Sequence, residues 1–563
     1  MFPARIWLIS FVKISSLIFI YSCNSKHPAS EKQLVEKPAE MDAKVNDNIK
    51  DVLQYAIDNS GKINDSIKLN VTTIVDSFYQ KNEYKNIWSK DEHWVPLADS
   101  LFNFIQASEQ YGLFPADYHS KDLGYLRSSL VKDSTAKADA NTWTKADLML
   151  TDAFMQISKH LKQGRLLPDS ISLSADTTLT NIFFIKNLNT VLENNSLTSF
   201  FTSLEPKLKG YKNLKEGVKK FIDSIDRKQY TYVVYPNKDS FAFIKKLQQR
   251  LHEGKYLDSS ILQADSLQLA TAIKKFQKVK GTKTDGKISL VLIRSLNNSD
   301  QERFKKIAIN LDRYKQLPAT LPVKYIWVNL PSYYLKVFDN DTVVFESKTI
   351  VGKPTTRTPE LNSEITNMVT YPNWTIPNSI IKKEILPAMK RDAGYLARKG
   401  FSLVDAKGET VDPYSVNWEK YTKGIPYKII QGSGDANALG ILKFNFNNPY
   451  DVYLHDTNQR YLFKNSLRAL SHGCVRVQEW QKLAFYIASN DSMNQKTGST
   501  LNYTSDSIKN WLANKVKKTI IVKNRIPLFI RYFTCEGKNG KIIFYEDIYG
   551  EDKMLREKYF ANK

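Results

Sequence analysis

The sequence predicts an α+β chain, helical through its first half and mainly β through its last. Apolar residues recur at helical spacing from about 65 to 298. From 320 onward they alternate or run in blocks of strand length. A third observation locates the chemistry. The chain has 3 cysteines and 7 histidines in 563 residues, yet one cysteine and two histidines fall between 455 and 474.

Composition bounds the rest. Hydrophobic content of 42%, with 12% aromatic residues, can bury a sizeable core and excludes a disordered chain. The length calls for several domains. The balance is 81 Lys+Arg against 58 Asp+Glu, a net charge of +23. The basic residues are spread rather than blocked, and no nucleic-acid-binding motif accompanies them. An anionic polymer outside the membrane is the expected partner, and nucleic acid is not.

That placement rests on the N-terminus. Residues 1–22 read as an export signal, with Arg5 and Lys13 ahead of or within a short apolar run, Ile14 to Tyr21. Ile20-Tyr21-Ser22-Cys23 resembles a bacterial lipobox, so Cys23 is the expected lipidation site and a membrane anchor. Plain signal cleavage is the alternative. Residues 23–60 are polar and charged and read as a flexible tether.

Residues 61–236 read as a helical domain. Leu101, Phe104 and Ile105 are spaced i, i+3, i+4. Phe154, Ile157, Ser158 and Leu161 repeat the pattern, with Gly164 as a stop signal. Residues 237–300 form a smaller unit with three apolar faces: Ile244, Leu247 and Leu251; Leu269, Ile273 and Phe276; Leu290, Ile293 and Leu296. Thr284-Asp285-Gly286 is turn chemistry.

Residues 301–563 form the last domain. Tyr325–Leu330 and Tyr334–Phe338 predict a hairpin, with a turn at Asp339-Asn340-Asp341. Between about 377 and 434 the spacing of Ile380, Ile381, Ile385, Leu386 and Met389 turns helical and interrupts the strands. A helix begins again at Trp480, and strands are expected at Ile526–Ile530 and Ile542–Tyr545.

Within this domain stands Ser471-His472-Gly473-Cys474-Val475-Arg476-Val477, preceded by Tyr453-Leu454-His455-Asp456-Thr457. A thiol needs to become a thiolate to attack carbon, and a nearby imidazole can take its proton. Gly473 permits a tight turn that presents the thiol, and backbone N–H groups of Gly473 and Cys474 could cradle an oxyanion. Two other readings exist. Cys474 could be a small buried hydrophobe. His455, His472, Cys474 and Asp456 could ligate zinc, although no metal-ligand spacing supports it. No metal or cofactor is expected.

The order of these motifs resembles the L,D-transpeptidase catalytic domain, the YkuD type. His455 lies 19 residues before Cys474 (455 to 474), as in that family. Asn437-Ala438-Leu439-Gly440, Lys443-Phe444 and Pro449 resemble the lead-in to its histidine. Ile350-Val351-Gly352-Lys353 with Thr358-Pro359 resembles its V-V-G-K…T-P segment, and Asp547-Ile548-Tyr549-Gly550 its closing segment. Tyr111–Pro115, Leu150–Phe154 and Gly164-Arg165 resemble the helical scaffold of the large YcbB-type members. The unit at 237–300 resembles a three-helix peptidoglycan-binding domain.

The resemblance implies a β-sandwich-like catalytic core with a capping insertion at about 377–434. It implies cysteine acyl transfer between peptidoglycan stem peptides in the cell envelope. Cys474 is then the nucleophile and His455 the base, with His472 and Gly473 in support. Tyr453 and Trp374 line the peptide groove. Arg476 either binds a substrate carboxylate or pairs with a buried acid. Hydrolysis of the same thioester, or a wall-binding lipoprotein without catalysis, are the alternatives. Cys535 is expected to be buried and inert.

Overall fold

The computed structural model describes residues 32–167, 179–235, 240–494, 503–561 and 563. The export signal and Cys23 therefore lie outside the described residues. The chain divides into two compact units, one of residues 1–105, 116–156 and 181–195, the other of residues 106–115, 157–180 and 196–563. Among the described residues no helix is long and apolar enough to cross a membrane.

The first unit is helical and corrects one expectation. Residues 23–60 are not all tether, because helix α1 (Pro38–Asp58) occupies most of that stretch. Its composition is polar, but Met41, Val45, Ile49, Val52 and Ala56 fall on one face and are fully buried. Each such aliphatic side chain contributes about 1.5–3 kcal/mol when removed from water. That stripe outweighs the average polarity that suggested a tether. The helix read at Phe154–Leu161 is α2 (Ala140–Lys162), and Gly164 follows it at φ 76°, the left-handed stop.

In the second unit, helices α3 (Ser240–Glu253), α4 (Ser266–Val279) and α5 (Leu290–Leu296) bury a core of their own around Leu247, Leu251, Ile273, Phe276 and Ile293. Leu290 departs from the expected face. It opens the short α5 and is 42% exposed, while Leu292 takes the inward position. The turn at Asp285-Gly286 is pinned to α4, since Gln277 donates to Asp285 Oδ1 at 2.9 Å and accepts from the Gly286 N–H at 2.9 Å.

Helix α6 (Asp300–Lys315) leads into the β domain. Its strands are β1 (Lys324–Asn329), β2 (Tyr334–Asp339), β3 (Thr342–Gly352), β4 (Leu361–Thr370), β5 (Leu442–Phe446), β6 (Leu454–His455), β7 (Ala469–Ser471), β8 (Val475–Val477), β9 (Lys518–Ile521) and β10 (Pro527–Arg531). Strands β1 and β2 are the expected hairpin, and Asn340 and Asp341, both at positive φ, turn β2 into β3.

The sheet order is β5-β6-β8-β3-β2-β1-β10-β4-β9, with β7 on β3. Strand β5 also pairs with β4, so the hydrogen-bonded strand order closes on itself. The ten-residue β4 makes this possible by pairing with β10, β9 and β5. Helix α7 (Trp480–Met493) lays Leu483, Ala484 and Ile487 into the same core as Leu454, Val475 and Val477.

The insertion between β4 and β5 has its own core of Ile376, Ile381, Ile385, Leu386, Met389, Leu403, Trp418 and Ile429. Its helical face is the expected one. It also holds a four-stranded sheet whose first strand is Trp374–Thr375, three residues before the expected start. Short strands with few alternations carry little sequence signal.

Candidate active site

Strands β5, β6 and β8 lie side by side. Lys443 pairs with His455, Leu454 with Val475, and His455 with Arg476. Leu442, Phe444, Leu454 and Val475 are fully buried in the core. Side chains alternate along a strand, so Lys443, Tyr453, His455, Cys474 and Arg476 share the opposite face. The sequence motifs are thus brought together, and Lys443 joins them.

The loop holding Cys474 is braced by hydrogen bonds. Ser471 Oγ donates to the Cys474 carbonyl at 2.6 Å and accepts the Gly473 N–H at 3.1 Å. Thr358 Oγ1 donates to the Gly473 carbonyl at 2.7 Å and accepts the Gly352 N–H at 2.9 Å. Tyr549 Oη donates to the Gly352 carbonyl at 2.8 Å and accepts the Thr358 N–H at 3.1 Å. Gly473 sits at φ 125°, which L side chains rarely adopt. At Gly352 a Cβ would fall 2.2 Å from the Thr356 carbonyl oxygen, so only glycine fits.

This bracing engages the backbone of Gly473. Its N–H donates to Ser471 Oγ in this structure, and its φ makes it the turn residue of the loop.

His455 is buried, and its Nδ1 lies 2.5 Å from the Asp456 carbonyl oxygen. A carbonyl only accepts, so Nδ1 carries the proton and Nε2 offers its lone pair. Burial, then the Arg476 charge and more weakly Lys443, pushes the imidazole down to about 3. Asp456 is fixed in turn. Arg460 grips its carboxylate at 3.1 and 2.6 Å, and the Ile441 N–H donates to it at 3.1 Å.

Cys474 is half-buried, and its Sγ lies 3.7 Å from the Asp451 carbonyl. Burial pushes the thiol up. The Tyr453 N–H and phenol, and the charges of Lys443 and Arg476, oppose that shift without reversing it. Thiol and imidazole are both neutral at rest. By contrast, Cys535 is fully buried, and burial pushes its thiol far up, as expected of an inert group.

The other expected residues are placed as follows. The Tyr453 ring lies between Lys443 Nζ, 3.9 Å from its centroid, and the His455 ring, 5.6 Å away. Trp374, Tyr453, Lys443, Asn445 and Asp451 line a cavity of about 720 Å³. Arg476 Nη1 donates to Gln459 Oε1 at 2.9 Å and, among the described residues, has no carboxylate in ion-pair range. The buried-acid reading of Arg476 is thereby set aside.

His472 faces the insertion, where its Nε2 meets Glu384 Oε1 at 2.6 Å. Glu384 rides on a single π-helical turn, Ile381–Ile385, a feature common at functional sites. The residues weighed as zinc ligands do not converge: among the described residues no group of three or more His, Cys, Asp and Glu is gathered for a metal.

Sequence reading placed Lys443, Thr358 and Tyr549 in motifs but gave them no role, and it missed Glu384. Their signal is pairing across the sheet or chain separation of 88 to 191 residues, which no local pattern carries.

Comparison with known proteins agrees with this geometry. Residues 73–217 match a family model described as a scaffold domain, and residues 323–494 one described as the L,D-transpeptidase catalytic domain. A Haemophilus influenzae protein named "Putative L,D-transpeptidase" is 35% identical over 251 residues, 45% of this chain and 49% of that protein. The chain thus matches about half the length of this curated relative.

Two solved structures share less. One is an Enterococcus faecium L,D-transpeptidase mutant, 13% identical, covering 38% of this chain and 50% of its own, at a TM-score of 0.14. The other is an Ldtfm–avibactam carbamoyl enzyme, 11% identical, covering 49% of this chain and 83% of its own, at a TM-score of 0.16. At those scores neither likeness carries any argument. The motifs, their shared face and the family match agree on one point: residues 323–494 of this chain match the L,D-transpeptidase catalytic domain, the YkuD family.

Proposed function

We propose that the protein is a peptidoglycan L,D-transpeptidase that forms 3→3 crosslinks through a thioester on Cys474. Cys474 Sγ attacks the carbonyl of the third stem residue while His455 Nε2 takes its proton. The carbon–nitrogen bond then breaks, and His455 returns the proton to the departing amine of the fourth residue. A second stem's amine, deprotonated by His455, attacks the thioester and releases the thiol. The supporting observation is the shared face on which an imidazole held at Nδ1 by the Asp456 carbonyl and a half-buried thiol stand on adjacent strands.

The other parts fit this reading. The three-helix unit of α3–α5 would hold the wall polymer, Cys23 would anchor the protein to the membrane facing it, and the insertion would act as a lid that excludes water from the thioester. Purified protein should convert tetrapeptide-stem muropeptides into crosslinked dimers, separated by chromatography and identified by mass. Shortening the insertion should shift product toward hydrolysed tripeptide. Tripeptide alone from the intact protein at high acceptor concentration would replace this reading with an L,D-carboxypeptidase.

A pH dependence follows. With His455 neutral down to about 3, the acylation rate should climb with pH as the thiol ionises and show no step at the ordinary histidine value of 6.5. A step there in the wild type, absent once His455 is replaced, would contradict a neutral resting imidazole. Stability carries the opposite limb. Below 6.5 the unfolded chain binds a proton at this histidine and the folded chain does not, so stability falls as pH drops from 6.5 toward 3.

A further inference from the structure

The cavity beside Cys474 is rich in donors. Lys443 is half-buried there, and among the described residues no carboxylate lies within ion-pair range of its ammonium. Its one recorded contact is the Tyr453 ring. The buried indole N–H of Trp374 lies toward the Tyr453 phenol without reaching hydrogen-bonding geometry, and has no other partner among the described residues. Asp451 and Lys428 also line the cavity, so its cations outnumber its carboxylates. Buried donors left without acceptors are costly, and a carboxylate complements both an ammonium and an N–H.

The distance from the sulfur selects which carboxylate. The Tyr453 ring carries Lys443 over its face, while its phenol stands close enough to Cys474 to act on the thiol. An anion at Lys443 therefore stands about one phenol ring from the attacked carbon. In a stem whose last residue leaves, the terminal carboxylate is two bonds beyond the scissile nitrogen.

We propose that Lys443, with the Trp374 indole N–H, binds the terminal carboxylate of the leaving residue and so fixes the last peptide bond of the donor stem as the one cleaved. This rests on the function proposed above. It also ties binding to proton transfer. Lys443 is one of the cations that oppose charge on His455, and a bound carboxylate neutralises it as the base is needed.

The test compares a tetrapeptide stem with its C-terminal amide, using the full chain and measuring release of the last residue by mass spectrometry. Wild type should favour the free acid in kcat/KM by about tenfold to a hundredfold, the worth of a charge-assisted contact. In Lys443→Met the acid-to-amide ratio of kcat/KM should fall toward one, whatever the change in the rate common to both stems, and Lys443→Arg should restore part of the ratio. Equal rates on both stems in wild type, or an undiminished preference in Lys443→Met, would overturn this proposal and leave the transpeptidase reading standing. A wild-type protein that cleaves neither stem would overturn both.

Discussion

Replacing Cys474 with serine is expected to abolish both acylation and crosslinking while leaving the fold intact. The change swaps sulfur for oxygen with little change of volume, and the loop geometry depends on Ser471, Thr358 and Gly473 rather than on the sulfur. What is lost is the nucleophile, because a hydroxyl beside a base this weak stays protonated and attacks slowly. Intact-protein mass spectrometry after exposure to a carbapenem reads the result. Wild type should gain one adduct on Cys474 and Cys474→Ser none. An adduct on Cys535 instead would refute the assignment, and its complete burial argues against one.

The second large effect separates the two histidines. His455→Ala should cost roughly 10²–10⁴-fold in turnover, the range for a positioned general base. It removes the buried imidazole whose Nδ1 is held by the Asp456 carbonyl. His472→Ser should keep measurable turnover. His472 is exposed and directed at Glu384 on the insertion, so its loss slackens a contact with the lid rather than removing the proton acceptor. Steady-state turnover of muropeptides by both variants decides it. Equal losses would mean that the base has been misassigned.

These expectations show where a sequence is readable. The nucleophile and base were legible because their chemistry sits in short motifs at fixed spacing. The helices at 140–162 and 480–493 were legible because each repeats an apolar face over several turns. Helix α1 was not, because its apolar stripe is thin and its surface strongly polar. The pairing of β5 with β4 was not, because pairing between residues near 367 and 445 is a long-range choice made by the whole core. The resting partner of the Gly473 N–H was not legible for a related reason. That N–H has two chemically reasonable partners, and only the folded loop shows that Ser471 holds it. Lys443 looked like any strand lysine until its register set it opposite His455.

The brace supplied by Tyr549 ties the thiol loop to the end of the chain. Its hydroxyl reaches Gly352 across 197 residues of chain, and the Cys474 loop is fastened through Thr358 to that same junction. A nascent polypeptide that has already synthesised Cys474 still lacks this fastening until Tyr549 has followed and docked. The loop near Cys474 thus draws part of its support from the far end of the chain. A chain cut before Tyr549 would therefore carry the thiol on a loop that lacks one of its fastenings.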